Sequence, residues 1–394
     1  MTVVGWGIHG GRLNVHHPPV SRPFTAYEFF AGGGMARAGL GARWTCLFAN
    51  DFDAVKARTY RANWPDEPFH EGDVWAIAPG ALPGRADLAW ASSPCQDFSL
   101  AGGRAGLKGG RSSAFFGFWR LIEALDDEGR APRALVIENV VGLLSSHGGA
   151  DFTALAEALA ARGYRFGALE IDASAFLPQS RPRVFILAAR EAPPASLLGD
   201  SPFHTANVRQ AHAALPDALK AHWLWWSPGA PPRRNTALAD VLEPDAAVAW
   251  HRPDQTRRLL SLMAPLHAAK VEAARRSQER QVGAVFRRTR VEDGQRRQRA
   301  EVRFDGLAGC LRTPRGGSSR QILLVVEDGE ARTRLLTGRE GARLMGLADD
   351  YALPKAATGA LQVVGDGVAV PVVRFLAERL IEPLLEPSRR IAAE

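Results

Sequence analysis

From Thr25 to about Arg190 the chain alternates short apolar runs with helical stretches, and no other feature limits its fold so tightly. "AYEFFAG" reads as a strand and "GMARAGLGA" as a helix, then "TCLFAND" as a strand and "DAVKARTYRANW" as a helix. "ADLAWAS" is a strand, "SAFFGFWRLIEALDD" has helical spacing, and "RALVIENV" is a buried strand. "DFTALAEALAARGY" is an amphipathic helix ending near a glycine, and "RVFILAAR" is a further strand. Strand–helix units repeated in this way predict an α/β fold, doubly wound on a mainly parallel sheet. Ligands of such sheets bind beyond the carboxyl ends of strands, so the residues that follow each strand are the first candidates for a site.

The alternation stops after Arg190. "EAPPASLLGDSP" and "SPGAPPRRN" are proline-rich connectors, with "AHWLWW" between them as a local core. "QTRRLLSLMAPLHAAKVEAARRSQERQV" carries helical spacing despite Pro265, and "GAVFRRTRVEDGQRRQRAEVRFDG" resembles two basic strands around a turn. From Leu336, "LTGREGARLMGL" and "VVRFLAERLIEPLLE" look like core-facing helices again. The expected organisation is an arm over 1–24, a ligand-binding domain over 25–190, a second, smaller basic domain over 191–335, and helices over 336–394 that return to the first domain.

Charge supports that division. The chain carries a net +7, yet residues 251–320 alone hold 17 Lys and Arg against 7 Asp and Glu, so the remainder is slightly acidic. A basic block of this kind suits a polyanion; on composition alone, a solvated face of an arginine-rich protein is the alternative. No uncharged apolar run approaches the roughly eighteen residues of a membrane span. The N-terminal stretch lacks the layout of a secretion signal. Cys46, Cys95 and Cys310 have neither metal-ligand spacing nor the makings of a disulfide framework. A cytoplasmic protein with no metal and no membrane partner is expected.

"EFFAGGGMARAG" places glycines between a strand and a helix, where backbone can approach a ligand and a helix N-terminus favours negative charge. Arg37 stands at the third glycine position of a dinucleotide fingerprint, which disfavours a nicotinamide cofactor and leaves a nucleoside-like one or a structural turn. Asp51, after the second strand, can accept both ribose hydroxyls of an adenosine. Phe52 can pack on the adenine, and Asp73 can accept from its amino group. Each acid taken singly reads as a surface residue; in this order behind the glycines they read as an adenosine pocket.

"SSPCQDFS" puts Cys95 behind a proline at a strand end, ahead of "GGRAGLKGGRSS", in which Arg104, Lys108 and Arg111 can hold phosphates. A lone cysteine is more often inert packing, but its place at the carboxyl end of a strand raises the prospect of a reagent. "VIENV" sets Glu138 at the end of an apolar strand, where burial raises a carboxyl pKa and suits an acid that protonates a ring nitrogen. Gln179, Arg181 and Arg183 in "QSRPR" lead into another strand, where arginines bind a carbonyl oxygen or phosphate, or form surface ion pairs. "GCLRTPRGGSSRQ" offers Arg312, Arg315 and Arg320 to a groove, for guanine or for phosphate.

The set "FFAGGG", "SSPCQDFS", "ENV", "QSRPR", "GREGARLMGL" and "GDGVAVPVV" occurs in the order found in cytosine-5 DNA methyltransferases, and the chain resembles that family across Ala26–Leu376 outside the basic domain. The resemblance implies an S-adenosylmethionine-dependent methyltransferase fold with a target-recognition domain. It implies that Cys95 adds as thiolate to carbon 6 of a flipped-out cytosine. It gives Glu138 to ring nitrogen 3 and the exocyclic amine, Arg183 to the carbonyl, and Arg181 to support of the loop. Phe30, Ala31, Gly32, Gly34, Asp51, Phe52, Asp73, Val74, Pro94, Asp366 and Val368 would line the S-adenosylmethionine pocket. Gln96, Ser99, Arg104, Arg111, Arg312, Arg315, Ser318 and Arg320 would meet double-stranded DNA. No metal is implied. A monomer is expected, with a cognate restriction endonuclease as a partner on the same site.

This sequence departs from the family pattern in carrying Glu28 for the commoner aspartate, and Asp366 and Gly367 where asparagine and a small residue such as serine are usual. Three other readings compete. An RNA cytosine-5 methyltransferase would share the scaffold, but the Cys-Phe-Thr segment of the tRNA-directed branch is missing and that branch lacks so large a basic domain. An amino-group methyltransferase would carry a Pro-Pro-aromatic motif in place of "SSPCQ". A DNA-binding relative without activity would have no need of the intact cysteine, glutamate and arginine set.

Overall fold

The computed structural model describes residues 23–93, 114–292, 294–313 and 320–386. Seven strands form the main sheet: β1 (Phe24–Phe29), β2 (Trp44–Asp51), β3 (Phe69–Glu71), β4 (Leu88–Ser92), β5 (Ala134–Asn139), β6 (Arg165–Asp172) and β7 (Pro182–Ala189). Their order is β3-β2-β1-β4-β5-β7-β6, parallel except for β7, which runs antiparallel to both neighbours. The crossovers are α1 (Met35–Leu40), α2 (Ala54–Asn63), α3 (Ala114–Asp127) and α4 (Ala150–Ala161). The chain leaves β1 toward β2 and β3 on one side and returns to β4 and β5 on the other. The topological switch point therefore lies between β1 and β4, where the carboxyl ends open a crevice.

Strand alternation sorts the core into two layers. Ala26 and Trp90 face a layer that includes Met35, Leu40, Val373 and Leu376, while Tyr27, Phe29 and Ala91 face one built on Phe115, Phe118 and Leu155. The "AHWLWW" segment is indeed core: Trp223, Leu224 and Trp226 are buried. Leu224 pairs its amide with the Phe166 carbonyl at 2.6 Å. A side chain at Gly167 would put its Cβ 1.8 Å from the Leu224 carbonyl oxygen, so only glycine lets that segment close on β6. Two helices, α5 (Ala206–Ala214) and the short α6 (Asp217–Lys220), lead into this segment.

The expected long helix around Pro265 is two helices. The first, α7 (Pro253–Leu260), ends before residue 261, and α8 (Pro265–Arg275) begins on the proline. Proline has no amide to continue a helix but suits a first helical position, so it starts the second rather than kinking the first. An antiparallel sheet follows, of β8 (Gln281–Glu292), β9 (Gln295–Arg303), β10 (Ile322–Glu327) and β11 (Glu330–Leu335), in the order β11-β10-β8-β9. Val285, Val302 and Leu324 pack on Leu259, Met263 and Val271, whereas Ala284, Leu323 and Val325 on the other face join the core that contains Trp90.

The chain then returns. Helices α9 (Gly338–Leu344), α10 (Ala357–Asp366) and α11 (Val370–Leu376) pack on that same core. Beyond α11 a wide π turn over Ala377–Ile381 leads into α12 (Glu382–Leu385), because Pro383 cannot donate into a regular ladder. The run Ala357–Leu385 is long and apolar enough to cross a membrane, but its most apolar window is 67% buried inside the protein.

Candidate active site

The loop after β1 is bent for close approach. Phe30 has φ 56°, a left-handed conformation rare outside glycine, and Gly32 and Gly34 follow at 59° and 82°. Gly32 donates its amide to Asp51 Oδ2 and Asp53 donates to Asp51 Oδ1, each at 2.9 Å. The carboxylate of Asp51 thus ties the glycine loop to the start of α2. Burial raises its pKa, opposed by the charge of Lys56 and by the two amides. Each carboxylate oxygen keeps a second lone pair beyond the amide it accepts from.

These residues fit an adenosine cofactor. No heavy atom lies within 4 Å of where a Gly32 Cβ would stand, so the space over the loop is open. Phe52 is 65% exposed beside Asp51, its ring uncovered by any of the described residues. Asp73 is exposed and caps the turn Val74–Ala76 through the Trp75 amide at 3.0 Å, with Val74 buried beneath. Ala31 and Val368 are buried in the walls.

The returning helices brace this crevice through side chains that sequence spacing did not reveal. Tyr351 donates to the Gly33 carbonyl at 2.5 Å, and Gln362 to Asp53 at 2.6 Å. Asp366 accepts from Lys56 on α2 at 2.8 Å and also from the Thr313 hydroxyl. Burial alone would lower the Lys56 pKa; the charges of Asp51, Asp366 and Asp53 more than reverse it. Asp366 was expected in this pocket from the resemblance; its partners Lys56 and Thr313 were not.

Across the switch point, the ends of β4 and β5 stand side by side, with Ser92 opposite Glu138. Glu138 is 6% exposed, and Arg183 Nε lies 3.2 Å from its Oε1. Burial raises the Glu138 pKa against the pull of Arg183, Arg181 and a hydrogen bond from Ser92. Next to it, Asn139 donates through Nδ2 to the Ser93 carbonyl at 3.1 Å and to the Ser93 hydroxyl at 3.2 Å. Ser93 is the last described residue before Cys95. Pro94, Cys95, Gln96, Ser99, Arg104 and Arg111 lie outside the described residues, as do Arg315 and Ser318.

Arg181 sits apart from this pair in role. Its guanidinium is buried and donates to the Leu311 carbonyl at 3.0 Å, the Gly365 carbonyl at 2.9 Å and the Gly367 carbonyl at 2.7 Å, with the Cys310 sulfur at 3.4 Å. Burial lowers its pKa to about 10, with the neighbouring Arg183 charge acting in the same direction. Gln179, fully buried, donates to the Leu344 carbonyl and accepts from the Leu311 amide. The "QSRPR" segment therefore clamps the basic domain and the returning helices to β7. Beside it runs a cleft of about 940 Å³, lined in part by Ser180, Pro182, Arg287, Arg312 and Arg320. Arg320 reaches Thr358 at 3.3 Å.

The chain is similar throughout to a known group. The sequence model of the family described as C-5 cytosine-specific DNA methylase matches residues 24–382. The Type II methyltransferase M.BsuFI of Bacillus subtilis is 27% identical over 92% of this chain and 73% of its own length. M.HpaII of Haemophilus parainfluenzae is 26% identical over 93% and 92%. Among solved structures, the methyltransferase EhMeth of Entamoeba histolytica superposes with a TM-score of 0.61 at 14% identity, over 92% of this chain and 99% of that one. The Dnmt2 methyltransferase of S. pombe gives 0.58 at 16%, with the same coverage. At these identities the structural likeness speaks to the fold.

Proposed function

The chain belongs to the C-5 cytosine-specific DNA methylase family and is a DNA cytosine methyltransferase; from that premise we propose that it methylates carbon 5 of a cytosine flipped out of duplex DNA, by transient attachment of the base to Cys95. The observation that carries this reading is the buried Glu138–Arg183 pair at the carboxyl end of β5, beside the strand end that leads to Cys95. A carboxyl with a raised pKa can carry a proton to ring nitrogen 3 and accept from the exocyclic amine, and the guanidinium can donate to the ring carbonyl.

The chemistry needs both ends of the base held. Carbon 5 of cytosine is a weak nucleophile. The Cys95 thiolate forms a bond to carbon 6 while Glu138 gives its proton to nitrogen 3, and the ring becomes an enamine with electron density on carbon 5. S-adenosylmethionine, when bound over the glycine loop, supplies the methyl group as a sulfonium electrophile. Loss of the carbon-5 proton to a base and expulsion of the Cys95 sulfur restore the aromatic ring, and nitrogen 3 returns its proton to Glu138. A free cysteine has a pKa of about 8.5, so only a few per cent is thiolate at neutral pH; protonation at nitrogen 3 makes the ring a better acceptor. Extrusion of the base costs roughly a few kcal/mol, which contacts between the basic domain and DNA offset.

On this reading Asp51 and Phe52 take the ribose and adenine of the cofactor, Asp73 the adenine amine, and Arg312 and Arg320 face DNA. The relatives carry the designation Type II methyltransferase, which supports a cognate restriction endonuclease as partner and a cytoplasmic site of action. One chain holds Glu138, Arg183 and the crevice together, so a monomer suffices.

The test has two arms. Bisulfite sequencing of DNA from cells expressing the protein should give protected cytosines in one short sequence; methyl label that enters tRNA and not DNA would overturn the reading. A duplex with 5-fluorocytosine at that site should trap a denaturation-resistant adduct in the presence of cofactor. Absence of the adduct, with full turnover by Cys95→Ala, would overturn the covalent step.

A further inference from the structure

The hairpin β8–β9 is longer than the sheet that carries it. β10 pairs with β8 only over Gln281–Val285, whereas β9 continues to pair with β8 as far as Glu292. Ala300 is buried against Met263 and Phe286 packs on the core, so residues 287–292 and 295–299 leave the sheet as a two-stranded ribbon, roughly 20 Å long at about 3.3 Å per residue. It holds six arginines: Arg287, Arg288 and Arg290 on β8, and Arg296, Arg297 and Arg299 on β9.

Their register is unfavourable for folding alone. Arg288 stands directly opposite Arg299, and Arg290 directly opposite Arg297. Like charges facing across strands destabilise a hairpin. Two acids relieve part of this: Glu301 pairs with Arg288 at 3.3 Å and with Arg290, and Glu292 pairs with Arg299. Arg287, Arg296 and Arg297 are exposed and make no ion pair among the described residues. The base of the ribbon, at Arg287, Thr289 and Gln298, lines the cleft that also receives Ser180, Pro182 and Arg320, while Arg290, Arg296 and Arg297 lie further out along the same arm.

We propose that this ribbon is a second DNA contact, an arm that binds the phosphate backbone of duplex beyond the target base and adds affinity without reading sequence. The inference rests on the proposed DNA methylation and names a surface that this function leaves unassigned. A duplex in the cleft meets the ribbon base first; Arg287 and Arg296 stand on one face of the ribbon with Thr289 and Gln298, and Arg297 on the other with Arg290, so the arm offers guanidinium groups to a polyanion on both faces. Such charge retained against a folding penalty is what a backbone-binding element requires. The competing explanation is protection of an exposed sheet edge against self-association, a common use of charge on edge strands.

The triple variant R287Q/R296Q/R297Q separates the two. Binding to a 30-base-pair duplex of mixed sequence is measured from 50 to 200 mM salt. Each phosphate contact contributes about 0.9 to the logarithmic salt slope, so loss of three lowers the slope by roughly 2.7 and shrinks the affinity change across that range by about 40-fold. The variant should bind S-adenosylhomocysteine as the wild type does and melt no lower. An unchanged slope, with or without new self-association in sedimentation, overturns the arm. If the wild type transfers no methyl group to DNA, the parent reading fails instead, and methyl transfer with an unchanged slope fails the arm alone.

Discussion

Arg183 Nε lies 3.2 Å from Glu138 Oε1, and both side chains are less than a fifth exposed. The pair sets a balance: burial favours the neutral acid, and the cation beside it favours the carboxylate. Because the proposed step needs the protonated acid, kcat/KM should fall as pH rises through the raised pKa of Glu138. Arg183→Gln removes a charge that lowers this pKa, so the falling limb should move to higher pH even as activity drops. Glu138→Gln should lose turnover by about 10²–10⁴-fold, the usual range for a general acid, with affinity for S-adenosylhomocysteine unchanged. A limb that stays in place in Arg183→Gln would separate it from Glu138.

Asn139 acts one residue on, through Ser93. Its amide holds both the carbonyl and the hydroxyl of that residue, which fixes the end of β4 against the end of β5. Asn139→Asp keeps the shape but cannot donate, and it adds a negative charge beside Glu138. We expect kcat to fall by about 10-fold or more, since small misplacement of a reacting group is expensive. KM for S-adenosylmethionine should stay within a factor of three. The rising charge should also shift the pH limb of methyl transfer upward, a signature that a mere loss of packing would not give.

The strand ends that carry these pairs were legible in the sequence for a physical reason, though the Asn139–Ser93 contact was not. Ligands gather at strand ends in a parallel sheet, and the ends of "ADLAWAS" and "VIENV" are marked by where their apolar runs stop. The bracing of the cofactor crevice was not legible. Lys56 meets Asp366, Asp53 meets Gln362, and Gly33 meets Tyr351 only after the chain has travelled through a second domain and returned. No periodicity links partners so far apart. The break at Pro265 was misjudged because helical spacing continues across it, whereas the missing amide decides where a helix can begin.

Glu28 gives a stability prediction. It is buried under α1, where Oε1 accepts the Arg37 amide at 3.3 Å and Oε2 has no hydrogen-bond partner among the described residues. Burial pushes its pKa up to about 8 from the ordinary 4.5. The folded protein therefore holds this proton more tightly than the unfolded chain. That contribution is complete below pH 4.5 and is lost as pH rises to about 8, at about 1.4 kcal/mol per pH unit. Glu28→Gln cannot ionise, so its denaturation midpoint should match the wild type near pH 5 and exceed it at pH 8 to 9. Parallel pH profiles for the two proteins would show that Glu28 is ionised in the fold.

Asp366 joins two segments that the chain keeps far apart. One oxygen takes Lys56 from the helix behind the glycine loop, and the other takes Thr313, the last described residue before residue 320. Asp366→Asn retains an acceptor for Thr313 but removes the ion pair. Since the Asp366 side chain is 36% exposed, screening limits that loss to about 1 kcal/mol or less. Thr313→Val removes the other half, taking away the hydroxyl that meets Asp366 while sparing Lys56. We expect Asp366→Asn to weaken S-adenosylhomocysteine binding more than DNA binding, and Thr313→Val to do the reverse. Combining them should cost less than the sum if Asp366 couples the sites, because each change relaxes the same carboxylate. Strict additivity in calorimetric titrations with both ligands would mean that the two contacts share an atom group but no energy.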